Sequence, residues 1–246
     1  KEDYLRILRY VRFFLNYSKK DHDENLKKII KRNINGISKI SSDRLIDELK
    51  KLFLSSGFLK LSKDKFCQEI ISLIFPQLIN MSIFQNINDH SKKIIEQKDF
   101  IFLISLMIID NTDNSEYFIY KYNISNEDKK RIRFLSNIYS KNLDKDLFKE
   151  KNLWKIFYFN GKNSLIDLIN FQIFQNKKLD KKLIQLKNFF NNQEVPKLEI
   201  GAKTLIEKFN YKEGKELGNK LKEIEQFWIE NSFKITDQEL NKIVKN

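Results

Sequence analysis

Arginine is scarce in this chain and unevenly placed. Of 46 basic residues only seven are Arg, and Arg6, Arg9 and Arg12 fall within the first twelve positions. Where Lys supplies positive charge almost everywhere else, such clustering points to sites that need a planar, bidentate donor. At spacing i, i+3, i+6 the three share one drifting stripe of a helix, with Asp3 one step before Arg6 on it. A carboxylate only accepts hydrogen bonds and a guanidinium only donates them. Cytosine offers an exocyclic amino donor beside a ring acceptor, and the Watson–Crick edge of adenine does the same, whereas uracil and guanine show the opposite order. A fixed Asp3–Arg6 pair therefore suits C and A and repels U and G. The same two side chains could equally make a helix-surface ion pair, worth under about 1 kcal/mol.

Further candidates lie along the chain. Gly214 and Gly218 fall one turn apart at the start of a helical pattern, with Lys215, Lys220 and Lys222 beside them. Glycines there let another backbone approach while unpaired amides face an anion, which predicts phosphate contact; close packing against the preceding helix is the alternative. A basic run at Lys129, Lys130, Arg131 and Arg133 carries two Arg and is a second phosphate candidate, ahead of the run Lys177, Lys178, Lys181 and Lys182. Phe227 and Trp228 read as core. Cys67 shares a face with Phe66, Ile70 and Ile74 and reads as a buried, inert thiol. His22 and His90 have no partner at a ligand spacing, so surface or capping histidines and no metal site are expected. The acidic turn Asp110–Asn114 lacks the length and terminal Glu of a calcium loop.

The elements that position these residues are helical. Apolar residues recur at i, i+3, i+4 nearly everywhere, and six Gly and two Pro in 246 residues leave little punctuation for sandwiches or barrels. Stripes at Leu5–Leu15, Leu26–Ile34, Leu45–Leu52 and Phe66–Ile74 predict four helices, the last stopped by Pro76. Further helices are expected at about 91–109, 115–122, 126–140, 144–158, 162–175, 179–190, 202–209 and 213–231. The fold class is all-α, without a tandem repeat. The most apolar run, Phe100–Ile109, spans about 15 Å as helix, half a bilayer, so no membrane span is expected. One cysteine excludes an internal disulfide and suits a reducing, cytoplasmic setting. The net charge of +13 fits a polyanionic partner. Part of it accompanies a composition rich in Lys, Asn, Ile and Phe and poor in Ala and Val, as AT-rich coding produces.

The segment KEDYLRILRYVRFF, Lys1–Phe14, resembles the EDxxR-xx-R-xx-RF segment of bacterial class II tRNA nucleotidyltransferases, the CCA-adding group, and their poly(A) polymerase relatives. ISSDRLIDELKKLF, Ile40–Phe53, is similar to the S-x-[ED]-R-xxx-EL-xKLL segment of that family. Val195–Phe233 resembles a bacterial tail anchored here by Pro196, Gly201, Leu205, Gly214, Gly218, Leu221, Trp228 and Phe233. The resemblance implies a neck with the base-template helix over residues 1–60, a helical body over 61–165 and a tRNA-binding tail over 166–246. It implies that Asp3 and Arg6 read the incoming base, that Arg9 and Arg12 contact nucleotide or phosphates, and that Glu2, Arg44 and Glu48 support the helix. Lys130, Arg131, Arg133, Gly214, Lys215, Gly218 and Lys222 would meet RNA. Partners would be tRNA, CTP and ATP. Family members use two divalent ions, Mg2+, held by aspartates of an N-terminal head with a G-[GS]-xxRD segment and a D-x-D pair following it. That combination has no counterpart in this sequence, so no catalytic residue is assigned and the chain is expected to be inactive alone. A poly(A) polymerase of the same family, or a non-catalytic all-α RNA-binding module, would carry the same helices.

Overall fold

The computed structural model describes residues 3–85, 87–97, 99–140, 145–176 and 180–245. It is all-α: the described residues form fourteen α-helices and three 3-10 turns, and no strand. Two compact units divide the chain. The first comprises Lys1–Asp144 with Ile166–Asn188, the second Lys145–Leu165 with Phe189–Asn246. Each unit is therefore assembled from two separate stretches of the sequence.

The first unit opens with α1 (Arg6–Tyr17), which buries Leu5, Ile7, Leu8, Val11 and Leu15 and leaves Arg6, Arg9, Phe13 and Tyr17 outward. An Asp at the helix entrance caps α2 (Glu24–Asn33), where the Asp23 carboxylate accepts the Leu26 N–H at 2.8 Å. A 3-10 turn follows, and then α3 (Ser42–Phe53) and the single turn α4 (Phe58–Leu61), both packed on α1. Gly57 permits this packing. A Cβ there would lie 2.6 Å from the Leu15 carbonyl oxygen, so only glycine lets α1 and the α3–α4 corner meet. Helix α5 (Lys65–Ile74) starts at Asp64, whose carboxylate accepts the Cys67 N–H at 2.9 Å, and ends before Pro76.

The expected helix over 91–109 is two helices, α6 (Asp89–Glu96) and α7 (Phe100–Ile108). Asp99 makes the break by capping α7 through the Phe102 N–H at 3.0 Å. All of α7 except Ile101 is buried, with α8 (Asn114–Lys121), α9 (Asn126–Ser140) and α3 against it. At about 1.5–3 kcal/mol per buried large apolar side chain, this nine-residue helix is the main hydrophobic anchor of the unit.

Helix α10 (Glu150–Gln175) passes from the second unit into the first and bends at Gly161, whose φ of 78° is left-handed. Helix α11 (Lys181–Asn191) leads back. In the second unit Trp154 packs edge-on against Phe157 and Phe190, Phe157 meets Phe190 at a tilt, and Trp228 meets Phe233 and Tyr158. Trp228 is buried, as its reading as core required. Helices α12 (Ala202–Phe209), α13 (Lys215–Glu230) and α14 (Asp237–Lys245) close a smaller core around Leu205, Leu217, Ile224 and Leu240.

Candidate functional site

Asp3 lies just before α1 and caps its entrance, its Oδ1 accepting the Leu5 N–H at 3.3 Å while its carbonyl accepts the Arg6 N–H at 3.0 Å. The expected surface ion pair between Asp3 and Arg6 does not form. Asp3 is held instead by Arg44, at 3.2 Å, and by Arg9, at 3.6 Å. Arg6 is exposed and, among the described residues, carries no ion pair. Asp3 and Arg6 line one groove of about 540 Å³ with Tyr10 on α1 and Leu26, Ile29 and Asn33 on α2. The acceptor is thus fixed, the donor is uncommitted among the described residues, and an apolar wall stands beside both.

The fixing comes from α3. Glu48 is 2% exposed, and its carboxylate takes the Arg12 Nε–H at 2.6 Å and lies 3.7 Å from Arg9 Nε. Arg9 therefore bridges Asp3 and Glu48, while Arg12 turns inward and braces α1 on α3. Arg44 and Glu48 sit one turn apart on α3 and grip successive turns of α1. Glu2 lies outside the described residues. Downstream on the outward face, Phe13 and Tyr17 are exposed and stacked at 6.0 Å, with the Arg12 guanidinium 4.4 Å above the Phe13 ring. Arginine beside exposed aromatic rings suits unpaired bases. Sequence reasoning passed over this pair, although its i, i+4 spacing behind Arg9 was readable.

Other expected contacts fare differently. The run at Lys129–Arg133 loses its strongest member, because Arg131 is only 19% exposed and its fork is filled by two carboxylates. Its Nε–H and one terminal amino group donate to Asp167 at 2.8 and 3.0 Å, and that same amino group reaches Asp99 at 2.7 Å. Arg131 joins α9, α7 and α10 and is not available to phosphate, which corrects the expectation. Arg133 is exposed but bound to Glu116 by two 2.7 Å hydrogen bonds. Lys130 remains exposed. In the tail, a Cβ at Gly214 or at Gly218 would meet nothing within 4 Å, so packing against the preceding helix does not explain either glycine. Lys215 and Lys222 are exposed, whereas Lys220 donates to the Ile243 carbonyl at 2.9 Å and caps the end of α14. Lys177 and Lys178 lie outside the described residues.

The two histidines correct a further expectation. The His22 side chain is only 8% exposed. Its Nδ1 lies 2.6 Å from the Tyr10 hydroxyl, and its Nε2 lies 2.9 Å from Asp64 Oδ2 and 3.8 Å from Cys67 Sγ. Its ring stacks on Phe14 at 3.6 Å and meets the edge of Phe66. Burial and the neighbouring Asp64 push the Cys67 thiol far up. Burial alone would raise Asp64, but the Cys67 N–H and His22 hold it below the usual carboxylate range. Burial also pushes the Tyr10 hydroxyl up to about 12. His22 stands 12, 42 and 45 positions from Tyr10, Asp64 and Cys67, so no spacing rule could have joined it to them. His90 also has a buried Nε2 without a partner among the described residues, and burial lowers it.

Among the described residues no helix is long and apolar enough to cross a membrane. No curated protein matches the chain. Residues 22–81 match a protein-family model described as the probable RNA and SrmB-binding site of polymerase A. The matched stretch runs from the end of the α1–α2 loop through α5 and contains Glu48, Asp64 and Cys67, while α1 lies outside it. At this coarse level the similarity supports the poly(A) polymerase and CCA-adding family, and within it a region with an RNA-binding role.

Proposed function

We propose that this chain is the base-selecting and tRNA-holding part of a CCA-adding tRNA nucleotidyltransferase. The observation that carries the reading is the groove where Asp3 is held by Arg9 and Arg44 while Arg6 stands beside it with no ion pair among the described residues. A carboxylate fixed as acceptor and a guanidinium donor without an ion pair among the described residues complement the edges of C and A, and the two arginines that hold Asp3 keep it oriented. Positioning by Glu48 through Arg12 and Arg9 is what the template needs, because a base reader that swings cannot discriminate. Gly214, Lys215, Gly218, Lys222 and Lys130 are the backbone contacts of this reading, and tRNA, CTP and ATP its ligands. The described residues offer no aspartate set of the kind the family uses for Mg2+, so no step of nucleotide transfer is assigned here.

Binding of CTP, ATP, UTP and GTP to the chain with tRNA present tests the proposal. C and A nucleotides are expected to bind more tightly, and Asp3→Ala is expected to erase that preference while leaving tRNA affinity unchanged. Equal binding of all four nucleotides by the unaltered chain would overturn it. The family description names polymerase A, which favours a poly(A) polymerase as the second reading. Preference for ATP alone, with tRNA and unstructured RNA bound equally, selects it.

A further inference from the structure

We propose that His22, Asp64 and Cys67 form a cation site of the zinc type, which shares no ligand with the nucleotide groove but adjoins it through Tyr10. Three different donor atoms converge there: one imidazole nitrogen, one carboxylate and one sulfur, all within 4.8 Å of one another. His22 Nε2 lies 3.8 Å from Cys67 Sγ and 2.9 Å from Asp64 Oδ2. A tetrahedral centre with bonds of about 2.0–2.3 Å places its ligand atoms roughly 3.3–3.8 Å apart, so a few tenths of an ångström of opening at Asp64 admits the ion. Mixed nitrogen, oxygen and sulfur donors exclude the hard cations Mg2+ and Ca2+ and suit Zn2+. A thiolate and a carboxylate balance the charge of a dication, which matters where Cys67 is fully buried.

The surroundings match what a ligating histidine requires. Its second nitrogen faces the Tyr10 hydroxyl at 2.6 Å, whose oxygen fixes the ring plane and accepts the Nδ1–H hydrogen bond once Nε2 takes the metal. Phe14 stacks on the ring and Phe66 meets it edge-on, so two apolar faces border it. Asp64, the most exposed of the three at 20%, is the entry side and leaves a fourth position for water. The ion would tie the loop before α2 to the first turn of α5, with Tyr10 extending the link to α1.

The test uses the full chain, purified free of metal and titrated with Co2+ and then Zn2+. One equivalent of Co2+ is expected to give a thiolate-to-cobalt charge-transfer band with four-coordinate visible bands, all bleached by one equivalent of Zn2+. Cys67 is the only cysteine, so the band in the unaltered chain reports this site without any variant. Cys67→Ser is expected to remove the band, and Tyr10→Phe to keep it while weakening Zn2+ about 10- to 100-fold. Zn2+ should also raise the melting temperature of the unaltered chain and not that of Asp64→Asn. A chain that gives no band with Co2+ overturns the proposal and leaves the cluster as a buried hydrogen-bonded triad. So does a band with the unaltered chain that outlasts excess Zn2+.

Discussion

Single side chains divide here into those that hold and those that wait. Glu48 is buried and bound by Arg12, and Glu48→Ala leaves that guanidinium without its partner; the expected loss is about 3 kcal/mol in urea unfolding. Arg6 makes no ion pair among the described residues, so Arg6→Ala is expected to change stability by no more than about 0.5 kcal/mol while weakening nucleotide binding. A pair of measurements in which both variants lose stability alike would remove the distinction between brace and reader. Asp167 adds a pH dependence. Burial pushes its carboxyl up to about 6, against the hydrogen bonds and charge of Arg131, which pull it down. An unfolded Asp titrates at about 3.9, so the folded chain holds this proton more tightly. The resulting stabilisation is complete below pH about 4 and is lost as pH rises through about 6, amounting to about 2–3 kcal/mol. Unfolding curves between pH 4 and 7 should show that fall, and Asp167→Asn should flatten it.

Glycine placement decides two matters among the helices. Gly57→Ala drives a methyl into the backbone of Leu15, which cannot swing aside, and should cost about 1–3 kcal/mol by loosening the corner that seats α1. Gly218 lies inside α13 facing open space, so Gly218→Ala should raise stability by about 0.5–1 kcal/mol. If that gain is accompanied by weaker tRNA binding, the glycine serves close approach of a phosphate backbone; a gain in stability with unchanged affinity removes it from the interface. Much at this scale was legible in the sequence. The stripes of α1, α3 and α5, the stop at Pro76 and an interruption between the helices expected at about 144–158 and 162–175 follow from periodicity and backbone chemistry. The break at Asp99 was hidden because the four polar residues 96–99 also read as the outer face of one continuous helix between Ile95 and Phe100. Helix α14 was missed since Asp237–Lys245 is short and mostly polar, and it stays helical by laying Leu240 against α13. The Arg–Asp–Glu lattice on α1 was half legible: the residue types showed in the sequence, but the partner of each was set by α3. The exchange of Arg6 for Arg9 and Arg44 at Asp3, and the capture of Arg131 by Asp167, depend on contacts that no local spacing encodes.

Over the whole molecule the excess of 46 basic over 33 acidic residues predicts an affinity for tRNA that falls steeply with salt. Four to six phosphate contacts give a log–log slope of about −3 to −5, measurable by filter binding, and removing Lys215 and Lys222 together should flatten it by about 1–2. A slope near zero would detach the charge from RNA altogether. The division of the chain has a separate consequence for its synthesis. Residues 145–165 are made before residues 189–246, and it is there that Trp154, Phe157 and Tyr158 find their aromatic neighbours Phe190, Trp228 and Phe233. The first unit is complete once Asn188 has emerged; the second has to hold three unsheltered aromatic side chains until residues 189–246 follow. A nascent chain arrested just after Asn188 is therefore a client for chaperones, and a nonsense codon there yields an aggregating product, although every residue of the first unit is present.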